Sequence, residues 1–276
     1  MRVRSLGIVF LVSSFAMSAF AADRVIQNGI DVWETKGDGS TFIDFAKNPI
    51  PAGFFCSGSA PFTGRVAFRG EPIVTGTPGA LGATDTIVQR LDDAAFNKRG
   101  LAVTRTQVRA LSLKSMAPIE TACGNFAAAV RLDGVQPITQ MRITRENESG
   151  GQFSGPLWLN VKVSFTPIGR VSREALEIPV EVRFPAKASY PWRSKSSAPV
   201  PAGFVLVDTD GDRVADTYLP GTSNFMAGQS SRPSVSHGPG VKIGQGGGRY
   251  ICHADADGDG TGKQHCTWLC TGCQIP

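Results

Sequence analysis

The chain has 276 residues, 41% hydrophobic and 18% charged, with 28 Lys+Arg against 23 Asp+Glu and a formal net charge of +5. So mild and scattered a surplus speaks against a nucleic-acid binder, which needs a clustered basic face interleaved with aromatics. The length suffices for one large or two modest domains with a real core, and 32 Gly with 18 Pro point to many turns.

The chain opens with Arg2 and Arg4, an apolar run over 6–17, and Ala19-Phe20-Ala21 as a small-x-small cleavage signature. This pattern predicts a secretory signal of bacterial type, cleaved near Ala21. The apolar run is too short for a transmembrane helix, and no later stretch is apolar enough to span a bilayer. Cleavage removes two of the 28 basic residues and no acid, which leaves a mature charge near +3 on about 255 residues. The expected location is periplasmic or extracellular. Six cysteines in an oxidising compartment predict disulfides: Cys56 with Cys123, and three open pairings among Cys252, Cys266, Cys270 and Cys273.

Strands are predicted at 64–69, 84–91, 103–115, 125–132 and 137–146, with turn signals such as Asp133-Gly134 and Gly150-Gly151 between several of them. A short helical turn is predicted over 92–100. In LWLNVKVSF, Leu157, Leu159, Val161, Val163 and Phe165 share one face of a strand; Leu176, Ile178, Val180, Val182 and Phe184 repeat the pattern. Pro179 lacks a backbone donor, so the second strand belongs at an edge. Many short strands with regular breaks predict an all-β fold, an antiparallel β-sandwich of immunoglobulin-like or jelly-roll-like type. The expected organisation is a signal peptide at 1–21, a sandwich domain at 22–185 and a linker or long loop at 186–200. A small β segment at 201–225 and a flexible Gly/Ser-rich, Cys-rich tail at 226–276 follow.

Two stretches offer metal ligands. In DTDGDRVAD, Asp208, Asp210, Asp212 and Asp216 take positions 1, 3, 5 and 9 of a calcium-type loop. Position 6 is Arg213 where Gly is favoured, and position 12 is Leu219 in place of a bidentate acid. Four carboxylates so close repel without a cation, which points to calcium; the alternative is an Asp/Gly-rich β-turn between FVLV and TYLP. In CHADADGDGTGKQHC, Asp255, Asp257 and Asp259 also alternate, but position 9 is Lys263 and position 12 is Cys266. Cys252, His253, His265, Cys266, Cys270 and Cys273 are the right atoms for zinc, with Cys270 and Cys273 spaced C-x2-C. Export favours their oxidation, so disulfides are the preferred reading; one closing 252 to 266 is worth about 3 kcal/mol on the chain-entropy model.

Hydrolase, zincin and phosphate-loop signatures are absent from the sequence. All three histidines fall in the irregular C-terminal region. Asp92 and Asp93 read as solvated turn residues. Arg90, Arg105, Arg109, Arg131, Arg142 and Arg145 read as a solvated sheet face; converging, they would suit an acidic polysaccharide or a lipid headgroup.

Residues 29–66, GIDVWETKGDGSTFIDFAKNPIPAGFFCSGSAPFTGRV, resemble the opening of exported bacterial β-rich proteins of unassigned activity, and 207–225 are similar to a later segment of such proteins. The resemblance implies export and a β-rich architecture, and brings no catalytic residue with it. The function expected from these readings is a secreted binding or structural protein, calcium-stabilised and non-catalytic. Its partner would be a polysaccharide or another envelope protein. The alternatives are a hydrolase of envelope or extracellular polymers and a zinc- or copper-binding protein acting through the Cys/His tail.

Overall fold

The computed structural model describes residues 25–46, 48–169, 175–184, 189–194, 204–221 and 224–227, and the backbone of four further strands between 234 and 270. Chain order runs β1 (Val25–Ile26), β2 (Gly29–Thr35), β3 (Phe42–Asp44), β4 (Arg65–Gly70), β5 (Thr86–Arg90), β6 (Ala94–Ala95) and β7 (Leu101–Ser115). Next come β8 (Ile119–Thr121), β9 (Gly124–Leu132), β10 (Thr139–Asn147), β11 (Gly150–Ser154), β12 (Leu157–Pro167), β13 (Leu176–Phe184) and β14 (Tyr190–Ser194). The last are β15 (Phe204–Val207), β16 (Thr217–Pro220), β17 (Phe225–Ala227), β18 (Ser234–Val235), β19 (Val241–Lys242), β20 (Gly248–Ala254) and β21 (Gln264–Cys270).

One strand organises the rest. The N-terminal part of β7 lies between β10 and β5, and its C-terminal part between β9 and β4. Along β7 the buried positions alternate as Ala102, Thr104, Thr106, Val108 and Ala110, and then change phase, with Leu111, Ser112 and Leu113 all buried. The change coincides with a bulge: Ile87 pairs with Ala110 and Val88 with Val108, so Arg109 is the extra residue. A bulge bends and twists its strand. Here it carries β7 from one sheet into the other. The first sheet runs β17-β14-β11-β10-β7-β5-β2 and the second β13-β12-β9-β7-β4-β3. Apart from the two-residue parallel pairings of β18 with β2 and β19 with β3, the pairing is antiparallel.

The expected all-β, sandwich-like fold is what the chain adopts. The alternating face of β12 is buried from Leu157 to Phe165, facing Ile178, Val180 and Val182 of β13 in the same core. β13 ends its sheet, the edge position at which a proline such as Pro179 is tolerated. Phe55 anchors an aromatic cluster, with ring centroids 4.9 Å from Phe126 and 5.2 Å from Phe165. Beside it Cys56 and Cys123 form the expected disulfide, at a Cα separation of 5.9 Å and 67 residues apart in sequence. Closing a loop of that length is worth about 4 kcal/mol on the chain-entropy model. Cys56→Ser with Cys123→Ser is expected to lower the urea midpoint by an equivalent of about 2–5 kcal/mol; an unchanged midpoint would show that the aromatic cluster alone holds this end.

Three expectations are corrected. Residues 92–100 form no helical turn: Ala94 and Ala95 pair with Ile26 and Val25, and the chain then turns at Gly100, whose φ is +70°. Tertiary pairing overrides the modest helical preference of two alanines. Arg90 is not on a solvated face. It is fully buried, its Nε 3.1 Å from the Asp31 carboxylate and its guanidinium 4.8 Å from the Phe225 ring centre. Residues 186–200, read as a linker, include β14, which joins β11 to β17 within the first sheet and buries Trp192.

Candidate functional site

The Asp-rich stretch closes the β15–β16 hairpin. Val205, Val207 and Leu219 on that hairpin pack against Ile30, Ile73, Leu81, Ile87 and Ala110 in a second core cluster. β2, β5 and β7 are thereby covered on both faces, and the hairpin forms a third layer. Backbone bonds fix its position: the Asp208 N–H donates to Val74 O at 3.0 Å, and the Gly76 N–H to Leu206 O at 3.0 Å.

Within the turn each carboxylate holds the backbone that follows it. Asp208 Oδ1 accepts from the Gly211 N–H at 2.6 Å and Oδ2 from the Arg213 N–H at 2.9 Å. Asp210 accepts from the Asp212 N–H at 3.2 Å, and Asp212 from the Val214 N–H at 2.6 Å. One oxygen from each of Asp208, Asp210 and Asp212 lies within 4.8 Å of the others. Asp208 is 8% exposed, and the other two are open to solvent. Asp216 is outside this group, its carboxylate accepting from the Thr217 hydroxyl at 3.1 Å. The structure thus brings together three of the four expected ligands. Arg213, at loop position 6, has φ +73°, the left-handed conformation for which glycine is the usual choice. The backbone takes the calcium-loop turn although the residue there is an arginine, at a cost of about 1–2 kcal/mol. Leu219, at position 12, is buried in the second cluster and is not a ligand.

Arg131 on β9 supports the turn from below. Its Nη2 lies 2.7 Å from Glu71 Oε2, and its Nη1 donates to Leu113 O at 3.3 Å and Val130 O at 3.2 Å. Its stem lies so close under Gly211 that a Cβ there would come within 3.0 Å of Cγ and Cδ. Between this ion pair and the Asp turn is a cleft of ≈ 290 Å³, lined among others by Glu71, Ile73, Val74, Arg131, Asp208 and Arg213.

The other sequence candidates are dispersed. In the β20–β21 ribbon, Cys252 stands opposite Cys266 and His253 opposite His265. Cys270 pairs with Gly248 at the end of the ribbon. Asp255, Asp257, Asp259, Cys273 and His237 lie outside the described residues. The strand arginines do not converge: Arg105 pairs with Asp92 at 2.7 Å, Arg131 with Glu71, and Arg145 stands 4.2 Å over the Phe96 ring. Asp93 accepts from the Asn28 N–H at 2.7 Å, so Asp92 and Asp93 serve different partners.

Sequence reading passed over two carboxylates. Glu71 belongs to no motif. Asp85 is buried on the polar triplet Thr84-Asp85-Thr86, which opens the strand predicted at 84–91 and is the one visible signal for it. It accepts from the Thr35 N–H at 2.5 Å and from the hydroxyls of Thr35 and Thr86 at 2.9 and 2.7 Å. Burial nevertheless pushes its carboxyl up to about 6. No family model, curated protein or solved structure matches the chain.

Proposed function

We propose that this is an exported, non-catalytic binding protein whose third layer is fixed to the sandwich by a calcium ion. The observation that carries the reading is the convergence of Asp208, Asp210 and Asp212 within 4.8 Å. Three hard, anionic oxygens at that spacing repel one another in water and are drawn together by a divalent cation. The Val214 carbonyl at loop position 7 and Asp216 at position 9, through water, are the further ligands that the loop pattern offers. Zinc is disfavoured at this site because the donors are all oxygen.

Export is supported by the N-terminal basic-apolar-small pattern and by the Cys56–Cys123 disulfide. Among the described residues no helix is long and apolar enough to cross a membrane. A binding role is preferred to hydrolysis on the state of the cleft carboxylates. Glu71 is paired with Arg131, and Asp208 accepts two backbone N–H groups, so both cleft carboxylates are engaged in holding the fold. The partner is a polysaccharide or another envelope protein.

Thermal unfolding in calcium and in EDTA tests the calcium reading. At a calcium concentration about 100 times the dissociation constant, linkage adds about 2.7 kcal/mol, which raises Tm by roughly 5–10 °C in a chain of this size. Asp210→Asn with Asp212→Asn, both at exposed positions, is expected to abolish the shift without lowering the EDTA melting point. Equal shifts in wild type and variant would remove the site.

A further inference from the structure

We infer that the cleft between the Asp turn and β9 is the ligand site of this protein, and that it takes a neutral, polyhydroxylated ligand: one sugar residue of a saccharide. The inference rests on the binding reading above, though not on the calcium ion. At ≈ 290 Å³ the cleft lies at the lower end of the range for small-molecule sites, about 300–1,000 Å³.

Its chemistry selects among ligands. Two guanidinium groups, Arg131 and Arg213, share the lining with two carboxylates, Glu71 and Asp208. In the metal-free turn the charges balance, so an anion meets Glu71 and Asp208 and a cation meets both arginines. An apolar ligand would strip water from charged groups and return no hydrogen bond. A sugar hydroxyl donates and accepts at once, so vicinal hydroxyls match a carboxylate and a guanidinium side by side. The Glu71–Arg131 pair presents that arrangement, with the two side chains 37% and 26% exposed. Ile73 and Val74 supply an apolar wall, Val74 being 40% exposed, for the C–H face of a pyranose ring. Arg213 stands exposed at the cleft with no carboxylate partner among the described ion pairs, available to a ligand.

The test is a ¹H–¹⁵N NMR titration of the exported, disulfide-bonded chain. The probes are glucose, galactose and N-acetylglucosamine, with glucuronate and glucosamine as charged comparators. Saturable shifts of the Val74, Thr209, Gly211 and Arg213 amides are expected with at least one neutral sugar, at a dissociation constant of about 1–10 mM. Arg213→Gly suits the left-handed backbone and keeps the fold; it is expected to weaken that binding by about tenfold or more. No saturable shift with any neutral sugar, preference for either charged sugar, or unchanged affinity in Arg213→Gly would overturn the assignment. Calcium affinity measured on the same sample separates the two readings. A chain that takes calcium and no sugar keeps the metal site and loses this one.

Discussion

Asp31→Ala is expected to cost the fold about 3–5 kcal/mol, the range for breaking a buried ion pair by removing one partner. Asp31 and Arg90 have side-chain exposures of 1% and 0%. Without the carboxylate, Arg90 keeps its charge in the core with the Gln27 carbonyl and the Phe225 ring as remaining partners. Burial pushes the Asp31 carboxyl upward by more than Arg90 pulls it down, and buried ion pairs as a class contribute little net stability because desolvation offsets their attraction. The damage comes from the orphaned charge. Replacing both, Asp31→Leu with Arg90→Met, is therefore expected to recover most of the loss. Urea unfolding checks both statements: the midpoint falls at constant m-value for Asp31→Ala and returns toward wild type in the double variant. A single variant as stable as wild type would mean that water reaches the pair.

The second large effect is a stability that rises as the solution is acidified. Asp85 has its carboxyl pushed from 3.8 to about 6, first by burial and slightly by the charge of Glu34, with the Thr35 and Thr86 hydrogen bonds opposing. Between about pH 4 and 6 the folded chain binds a proton there that the unfolded chain does not. Stability is therefore gained as pH falls through 6, and the deficit above that pH amounts to at most about 3 kcal/mol. The same environment explains Gly70: a Cβ at that position would overlap the Asp85 carboxylate. Chemical denaturation at pH 7.5, 6 and 5, run in EDTA so that protonation of the Asp turn does not intrude, should show the rise. Asp85→Asn should remove the Asp85 share of it, leaving what the buried Asp31 carboxyl, also pushed upward, supplies. A wild-type chain losing stability steadily from pH 7.5 to 5 would assign Asp85 an ordinary carboxyl.

What the sequence made legible follows from how many faces each element buries. β12 and β13 cover one face only, so their period-two pattern is visible, and Pro179 announces the edge. β2, GIDVWET, shows no alternation because Ile30 and Val32 meet the third layer while Asp31 and Trp33 face the main core. The same double burial hides Arg90, which reads as one more surface arginine until Asp31 and Phe225 are placed around it. The Asp turn was legible because Asp208, Asp210 and Asp212 alternate within one short stretch of sequence. The cleft was not, since Glu71 and Arg131 meet only through β7, from segments far apart in sequence, and Arg213 joins them only when the hairpin docks.

The most direct measurement is a native mass spectrum of the exported, non-reduced chain in calcium. One calcium ion per wild-type chain, absent from Asp208→Asn/Asp210→Asn/Asp212→Asn, is the expected result. A wild-type chain carrying no calcium, or a triple variant carrying as much as wild type, would contradict a calcium-fixed third layer.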